Sequence, residues 1–362
     1  MDPNSQSQAF EEPLVPVAVV DPRAPKPRRR RTSALGSLLI VFLLLGLAGS
    51  MLLNLGLLFG GSSLESERKL REKHFSHERY GAHKIAVISL EEVILGEDEG
   101  FVKRQIDQIA EDEDVKAVVL RVNSPGGTVT GSDYLYHHLC RLRDERKIPV
   151  VVSMGSVAAS GGYYVAMAVG DTPETIFAEP TTWTGSIGVI IPHYDLSQLL
   201  KEKLGVEDDS ISSHPLKNMG SFAKAMTEEE RQIYQTLVDE TFERFKGIVR
   251  EGRPKFRGEE GEEALRELAT GQVFTADQAL ERGLVDKIGF IEDAIDRAIE
   301  LAKLDKDDVC VVKYGRELTM VDLLLGVRAP DRGVDLAALL DITVPRAYYL
   351  ATRMPPLVRS GR

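Results

Sequence analysis

"IPVVVSMGSVAASGGYYVAMAVG", residues 148–170, decides how this chain is read. It opens on a β-branched apolar run, the pattern of a buried strand. It ends on an apolar run that reads as a helix. Between them Ser160 follows two alanines and precedes two glycines. A strand that passes through the smallest side chains straight into a helix is one βα unit.

The flanking sequence repeats that unit. "KIAVISLEEVI" (84–94) and "VKAVVLRVN" (115–123) are strand patterns. "GFVKRQIDQIAED" (100–112) and "SDYLYHHLCRLRDE" (132–145) carry apolar residues at helical spacing. "ETIFAEP" (174–180), "TGSIGVII" (184–191) and "VCVVKYG" (309–315) predict further strands. Strands alternating with helices imply crossover connections and a largely parallel sheet, so the fold class is α/β. The second half is more helical. Thr227 with Glu230 predicts a capping box at the head of a long helix, and Gly283 a helix C-cap. Helices are expected over 275–283 and 291–304. Residues 316–362 read as a loosely held tail.

The chain has 362 residues, a net charge of −11 and two cysteines, Cys140 and Cys310. Both cysteines are expected to be buried, unpaired thiols. No Cys/His cluster suggests a metal site. The charge is uneven. Residues 1–59 carry six Lys/Arg against four Asp/Glu, so the body is more acidic than the whole. That excludes general nucleic-acid binding, which needs cations against phosphate.

Residues 1–31 are polar, proline-rich and end in "KPRRRR", a disordered arm by composition. No charge occurs from Thr32 to Leu64. The apolar stretch Leu38–Phe59 makes a helix of about 33 Å, enough for a bilayer core of about 30 Å. A transmembrane helix is therefore expected within 34–60. It is too long and too far from the N-terminus for a cleaved secretory signal. Arg28–Arg31 precede it, which places the N-terminus in the cytoplasm and the body outside. Residues 61–83 are charged and are expected to form a short helical stalk before a domain over 84–315.

Three stretches could carry chemistry. "NSPGG" (123–127) ends a predicted strand, and its glycines let backbone N–H groups approach a ligand. Alone it is a plain turn. Ser160 at the head of a helical pattern is either an N-cap or a nucleophile whose small neighbours admit a carbonyl. A nucleophile needs a base. The histidines lie at 74, 77, 83, 137, 138, 193 and 214, and none forms a compelling Ser/His/Asp order. Lysine is the other option, because desolvation disfavours the ammonium. Lys217 in "SSHPLKNMGS" sits among few charges, with Lys201, Lys203 and Lys224 as rivals.

Taken in order, "NSPGG", "SMGSVAASGGYY", "TGSIGV", "MTEEER" and "TADQALERGLVDKIG" resemble the signal peptide peptidase A family of membrane-anchored serine–lysine proteases, in its single-domain form. The resemblance covers roughly residues 83–305. It implies a ClpP/crotonase-like ββα superhelix after one transmembrane helix. It implies Ser160 as nucleophile, Lys217 as general base and Ser186 as the residue that orients the lysine. Gly126 or Gly127 and Gly161 would form the oxyanion hole. It implies signal peptides and other membrane-associated peptides as substrates, no cofactor, and a homo-oligomeric ring in which neighbouring protomers complete the sites. The chain departs from the family at the base, which lies in Ser213-His214-Pro215-Leu216-Lys217-Asn218, where glycine and aspartate usually stand at the second and last positions. "GDTPE" (170–174) also lengthens a connection. A crotonase-type acyl-CoA enzyme and a non-catalytic membrane scaffold are the rival readings.

Overall fold

The structure is a computed structural model, and it describes residues 38, 41–51, 70–91, 93–95, 100–316 and 348–350. The chain divides into two units, residues 1–65 and 66–362. In the first, residues 41–51 are helical and expose apolar side chains such as Phe42 and Leu45. Among the described residues no helix is long and apolar enough to cross a membrane. The rest of the expected span, with the arm before it, lies outside the described residues.

The second unit is a mixed α/β fold built on a parallel-rich sheet. Strands β1 (Leu70–His77), β2 (His83–Glu91), β3 (Val115–Ser124) and β5 (Val150–Ala159) join β6 (Ile176–Ala178), β9 (Lys287–Ile288) and β10 (Val309–Arg316). Their order is β1-β10-β2-β3-β5-β6-β9, and every pair but β1–β10 is parallel. Crossover helices α1 (Phe101–Glu111) and α2 (Val129–Arg146) connect the early strands.

The central strands are apolar on both sides because both faces are covered. Ala86, Ile88, Val118, Leu120 and Val152 pack on one face in a cluster that reaches α2. Ile85, Val87, Ala117, Val119 and Val151 pack on the other, against Ile295 and Ile299 of α7 (Ile291–Leu301). The two sets alternate along each strand, as side chains of period two must.

Residues 70–77 correct the expectation of a helical stalk. "LREKHFSH" forms β1, an antiparallel edge strand on β10. Its charged middle faces solvent while Leu70 and Phe75 pack against the two core clusters. Charged side chains on an edge strand protect it from further pairing. "TGSIGVII" is also shorter than expected: only Trp183–Gly185 is strand, β7, parallel to β5. Within "LSQLLKEKLG", Leu199–Leu204 is a π-helical turn.

The helical half follows its caps. Thr227 and Glu230 form the capping box of α4 (Glu228–Gly252). Helix α5 spans Gly258–Leu268. Thr275 and Gln278 cap α6 (Ala276–Arg282), preceded by β8 (Val273–Thr275), and Gly283 closes α6 with φ +71°. Cys310 is buried and Cys140 half-buried, and both are free.

A buried ion pair locks the end of α4 to the sheet. Arg253 Nη1 lies 2.7 Å from Asp286 Oδ1, and its Nε donates to Gly283 O at 3.0 Å. Asp286 Oδ2 accepts from the N–H groups of Thr175 and Ile176 at 3.0 and 2.9 Å. Removing one partner strands a buried charge. Asp286→Ala is expected to cost about 3–5 kcal/mol, read as a lower urea midpoint with an unchanged slope.

Candidate active site

The chain turns abruptly where β5 ends. Ala159 is the last residue of β5, and α3 (Gly161–Ala166) starts two residues later. The residue between them, Ser160, takes φ 55° and ψ −116°. A non-glycine residue there holds about 1–3 kcal/mol of strain. The surroundings impose it. Ser160 N–H donates to Gly185 O at 2.7 Å, and its carbonyl accepts from Tyr164 N–H at 2.9 Å. Ser160 therefore faces the site as a turn residue, and its side chain makes no cap hydrogen bond. The hydroxyl is buried, 1% of the residue being exposed, and among the described residues Oγ has no hydrogen-bond partner.

The motif "NSPGG" folds against this turn. Gly126–Thr128 leaves β3 as a separate short strand, β4. A Cβ on Gly161 would stand 2.4 Å from Ser132 Oγ, 3.1 Å from Gly127 N and 3.2 Å from the Cα of Gly126. A Cβ on Gly162 would stand 2.8 Å from Ser124 O. These glycines are what lets the two segments touch. Gly126 needs its glycine for conformation too, with φ +101°.

Two groups that sequence reasoning missed hold β4. Ile94 bridges it in parallel: its N–H donates to Gly126 O at 2.9 Å, and its carbonyl accepts from Thr128 N–H at 2.7 Å. Ser132, fully buried, donates from Oγ to Thr128 O at 2.9 Å. Ile94 closes the predicted strand pattern 84–94, but the strand ends at Glu91 and nothing local marks its bridge to β4. Ser132 lies one turn past a Thr N-cap, and that position was the only signal. Behind the turn, Tyr164 donates to Asp133 Oδ1 at 2.6 Å, which also takes Arg244 Nη2 at 2.7 Å. The helix after Ser160 is thereby tied to α2 and α4.

Ser186 lies beside Ser160. Ala159 pairs with Gly185 in parallel register, so each serine is the next residue along its strand. Ser186 is nearly buried, has φ 51°, and donates its N–H to Gln272 O at 2.7 Å. Gly126, Gly127, Ser160, Gly161 and Ser186 are thus gathered in one place.

Lys217 is not brought to them within this chain. It lies exposed on the short 3₁₀ turn Pro215–Asn218. His214, which stands where the family has glycine, caps that turn by accepting Leu216 N–H at Nδ1, 3.2 Å. Asn218, where the family has aspartate, donates to Asp208 at 3.3 Å. Among the described residues Lys217 makes no ion pair, whereas two rivals do. Lys201 pairs with Glu207 at 3.0 Å. Lys224 contacts the buried Glu230, whose carboxyl that lysine and the Thr227 N–H hold below the usual range. Among the described residues no group of His, Cys, Asp or Glu is placed to hold a metal.

Close packing at Gly162 gives a stability test. Gly162→Ala is expected to cost about 1–3 kcal/mol through overpacking. Gly247→Ala, on α4 with its nearest neighbour 3.9 Å away, should instead be neutral or gain up to about 1 kcal/mol. Chemical denaturation compares the two. Equal effects would show that the Ser124–Gly162 approach is not tight.

Residues 143–305 match the family model described as peptidase family S49. A protein of Enterococcus faecium named as a signal peptide peptidase SppA is 39% identical over 215 residues, 59% of either chain. A protein of Synechocystis sp. named as a protease is 42% identical over 199 residues, 55% of this chain and 68% of that one. Protease 4 of Salmonella typhi is 38% identical over 222 residues, 61% of this chain and 34% of its own. The chain therefore spans less than two thirds of the first and third of these relatives.

Proposed function

The chain belongs to peptidase family S49, the signal peptide peptidase A family, and from that premise we propose that it is a membrane-anchored serine endopeptidase working through Ser160 and Lys217. The observation that carries this reading is Ser160 itself. Its hydroxyl is buried, has no hydrogen-bond partner among the described residues, and sits in a strained turn next to the glycines of two motifs. A structural N-cap would spend that hydroxyl on its own helix.

In the proposed cycle neutral Lys217 takes the Ser160 Oγ proton as Oγ attacks a peptide carbonyl. Backbone N–H groups of Gly161 and of Gly126 or Gly127 receive the oxyanion. The intermediate collapses, the C–N bond breaks, and the lysine ammonium protonates the leaving amine. Water then attacks the acyl-enzyme, with the lysine as base again, and releases the acid. Ser186, one residue along the paired strand, orients the lysine amine.

Lys217 does not reach Ser160 in the single chain, and this supports assembly of a homo-oligomeric ring in which a neighbouring copy supplies it. The parallel sheet with β4 turned away from it fits a ClpP/crotonase-type superhelix. The uncharged stretch from Thr32 to Leu64 supports a single membrane span, with the cytoplasmic arm before it and the catalytic body outside. Substrates there are cleaved signal peptides and other extended peptides near the bilayer.

Ser160→Ala and Lys217→Ala are each expected to lower hydrolysis of an unfolded peptide by at least about 1000-fold while keeping the native circular dichroism. A fluorophosphonate should label the native chain and not Ser160→Ala. Labelling that survives Ser160→Ala, or normal turnover in Lys217→Ala, would overturn the assignment. Binding of an acyl-CoA by the body, without labelling, would favour the crotonase-type reading.

A further inference from the structure

Strand β5 does not run straight to Ser160. Through Val152–Met154 it pairs with β6, Met154 lying opposite Ala178. From Val157 it pairs with β7 instead, Val157 lying opposite Trp183 and Ala159 opposite Gly185. On its other side the register with β3 slips at the same place. Val122 lies opposite Met154 and Ser124 opposite Ala158, so β5 takes four residues where β3 takes two. Gly155 and Ser156 pair with no strand among those described. An irregularity of this kind re-aims the side chains that follow it, and such bulges concentrate beside active sites.

Side chains fill the gap that the ladder leaves. Thr182, fully buried just before β7, donates from Oγ1 to Gly155 O at 2.6 Å and lies 3.3 Å from Met154 O. Asn123 Oδ1 accepts the Val157 N–H at 3.2 Å. Thr184, also fully buried, donates from Oγ1 to Ala158 O at 2.7 Å. Main-chain groups of β5 are thus held by side chains from both flanking segments. The next hold is main-chain: Gly185 O accepts the Ser160 N–H at 2.7 Å. The register of β5 on β7 therefore decides which residue stands in the strained turn. A slip of one residue would move the serine by about 3.3 Å.

We propose that Thr182 is a positioning residue for the nucleophile: its hydroxyl fixes the jog by which β5 leaves β6 for β7, and so sets where Ser160 stands against Gly126 and Gly127. This goes beyond the serine-peptidase reading and rests on it. Thr182 is fully buried, out of a substrate's reach, and acts through β5. Asn123 holds the opposite side of the same jog. Losing the Thr182 hydroxyl strands the carbonyl of Gly155, a buried residue, and β5 shifts to satisfy it. A displacement of the nucleophile by about 1 Å is enough to cost about 100-fold in rate. Because Thr182 makes no contact with substrate, the loss falls on kcat and leaves KM unchanged.

The full-length chain offers a matched pair of threonines. Thr175, like Thr182, is fully buried and donates from Oγ1 to a backbone carbonyl, that of Thr172 at 2.9 Å, but it does so just before β6. Thr182→Val and Thr175→Val each remove one hydroxyl at nearly constant shape, and both are expected to lower the thermal midpoint. Only Thr182→Val should lower kcat for an unfolded peptide, by about 10–100-fold with KM unchanged, and slow fluorophosphonate labelling by a similar factor. Thr182→Ser, which keeps the hydroxyl, should recover most of the native kcat. Hydrogen exchange reads the jog without catalysis. The amides of Val157 to Ser160 should exchange faster in Thr182→Val than in the native chain or Thr175→Val. Native kcat in Thr182→Val, or an equal loss of kcat in both valine variants, would overturn the positioning role while leaving Ser160 as nucleophile. Faster exchange confined to Thr182→Val, in a protein whose native chain neither hydrolyses nor labels, would keep the jog and remove the peptidase reading instead.

Discussion

Two backbone segments can approach within van der Waals contact only where neither carries a side chain between them, and the site depends on one such approach. Gly161 and Gly162 sit against Gly126, Gly127 and Ser124 so closely that a single methyl group would meet an oxygen or a nitrogen. Everything placed near Ser160 follows from that contact. It brings the glycines of two distant motifs beside the residue that ends β5's turn. It also fixes the turn in which Ser160 is strained, since the chain must leave β5 and enter α3 without moving away from β4.

The remainder of the fold supplies rigidity around that contact. β3 and β5 are paired in parallel and buried on both faces, so the segments that follow them start from fixed positions. Gly185 holds the Ser160 N–H, and Gln272 holds the Ser186 N–H. The Tyr164–Asp133–Arg244 group ties the helices behind the site to one another, and the Arg253–Asp286 pair ties the end of α4 to the sheet. A strained residue persists only where its surroundings over-determine it, and these contacts do so.

Much of this was legible in the sequence where local rules decide structure. Near-continuous apolar runs marked β2, β3 and β5. Thr227 with Glu230 marked the head of α4, and Gly283 marked the end of α6, because caps are local chemistry. The clustering of Gly126, Ser160, Gly161 and Ser186 came from motif resemblance, and the structure places them together. Long-range pairing was not legible. Leu70–His77 looks like a charged helix, and only its partner β10, far along the chain, makes it a strand. The Ile94 bridge carries no pattern of its own. Tyr348–Leu350 has strand-forming residues but no alternation, and its partner lies more than two hundred residues earlier. Lys217 shows the other limit: its loop is capped by His214 and anchored through Asn218, so its departures from the family pattern have local roles.

The bridge from Ile94 takes one edge of β4, and the other, which Tyr348–Leu350 lines, has Gly127 at its centre. A glycine edge offers an incoming chain an N–H and a carbonyl and almost nothing that distinguishes one side chain from another. A helix has already spent its amides internally, and a strand inside a folded sheet has spent them on its neighbours. Selection at this edge therefore falls on conformation before it falls on sequence. On the proposed peptidase reading a chain qualifies by having unspent backbone amides, a property that unfolded segments share and folded ones lack.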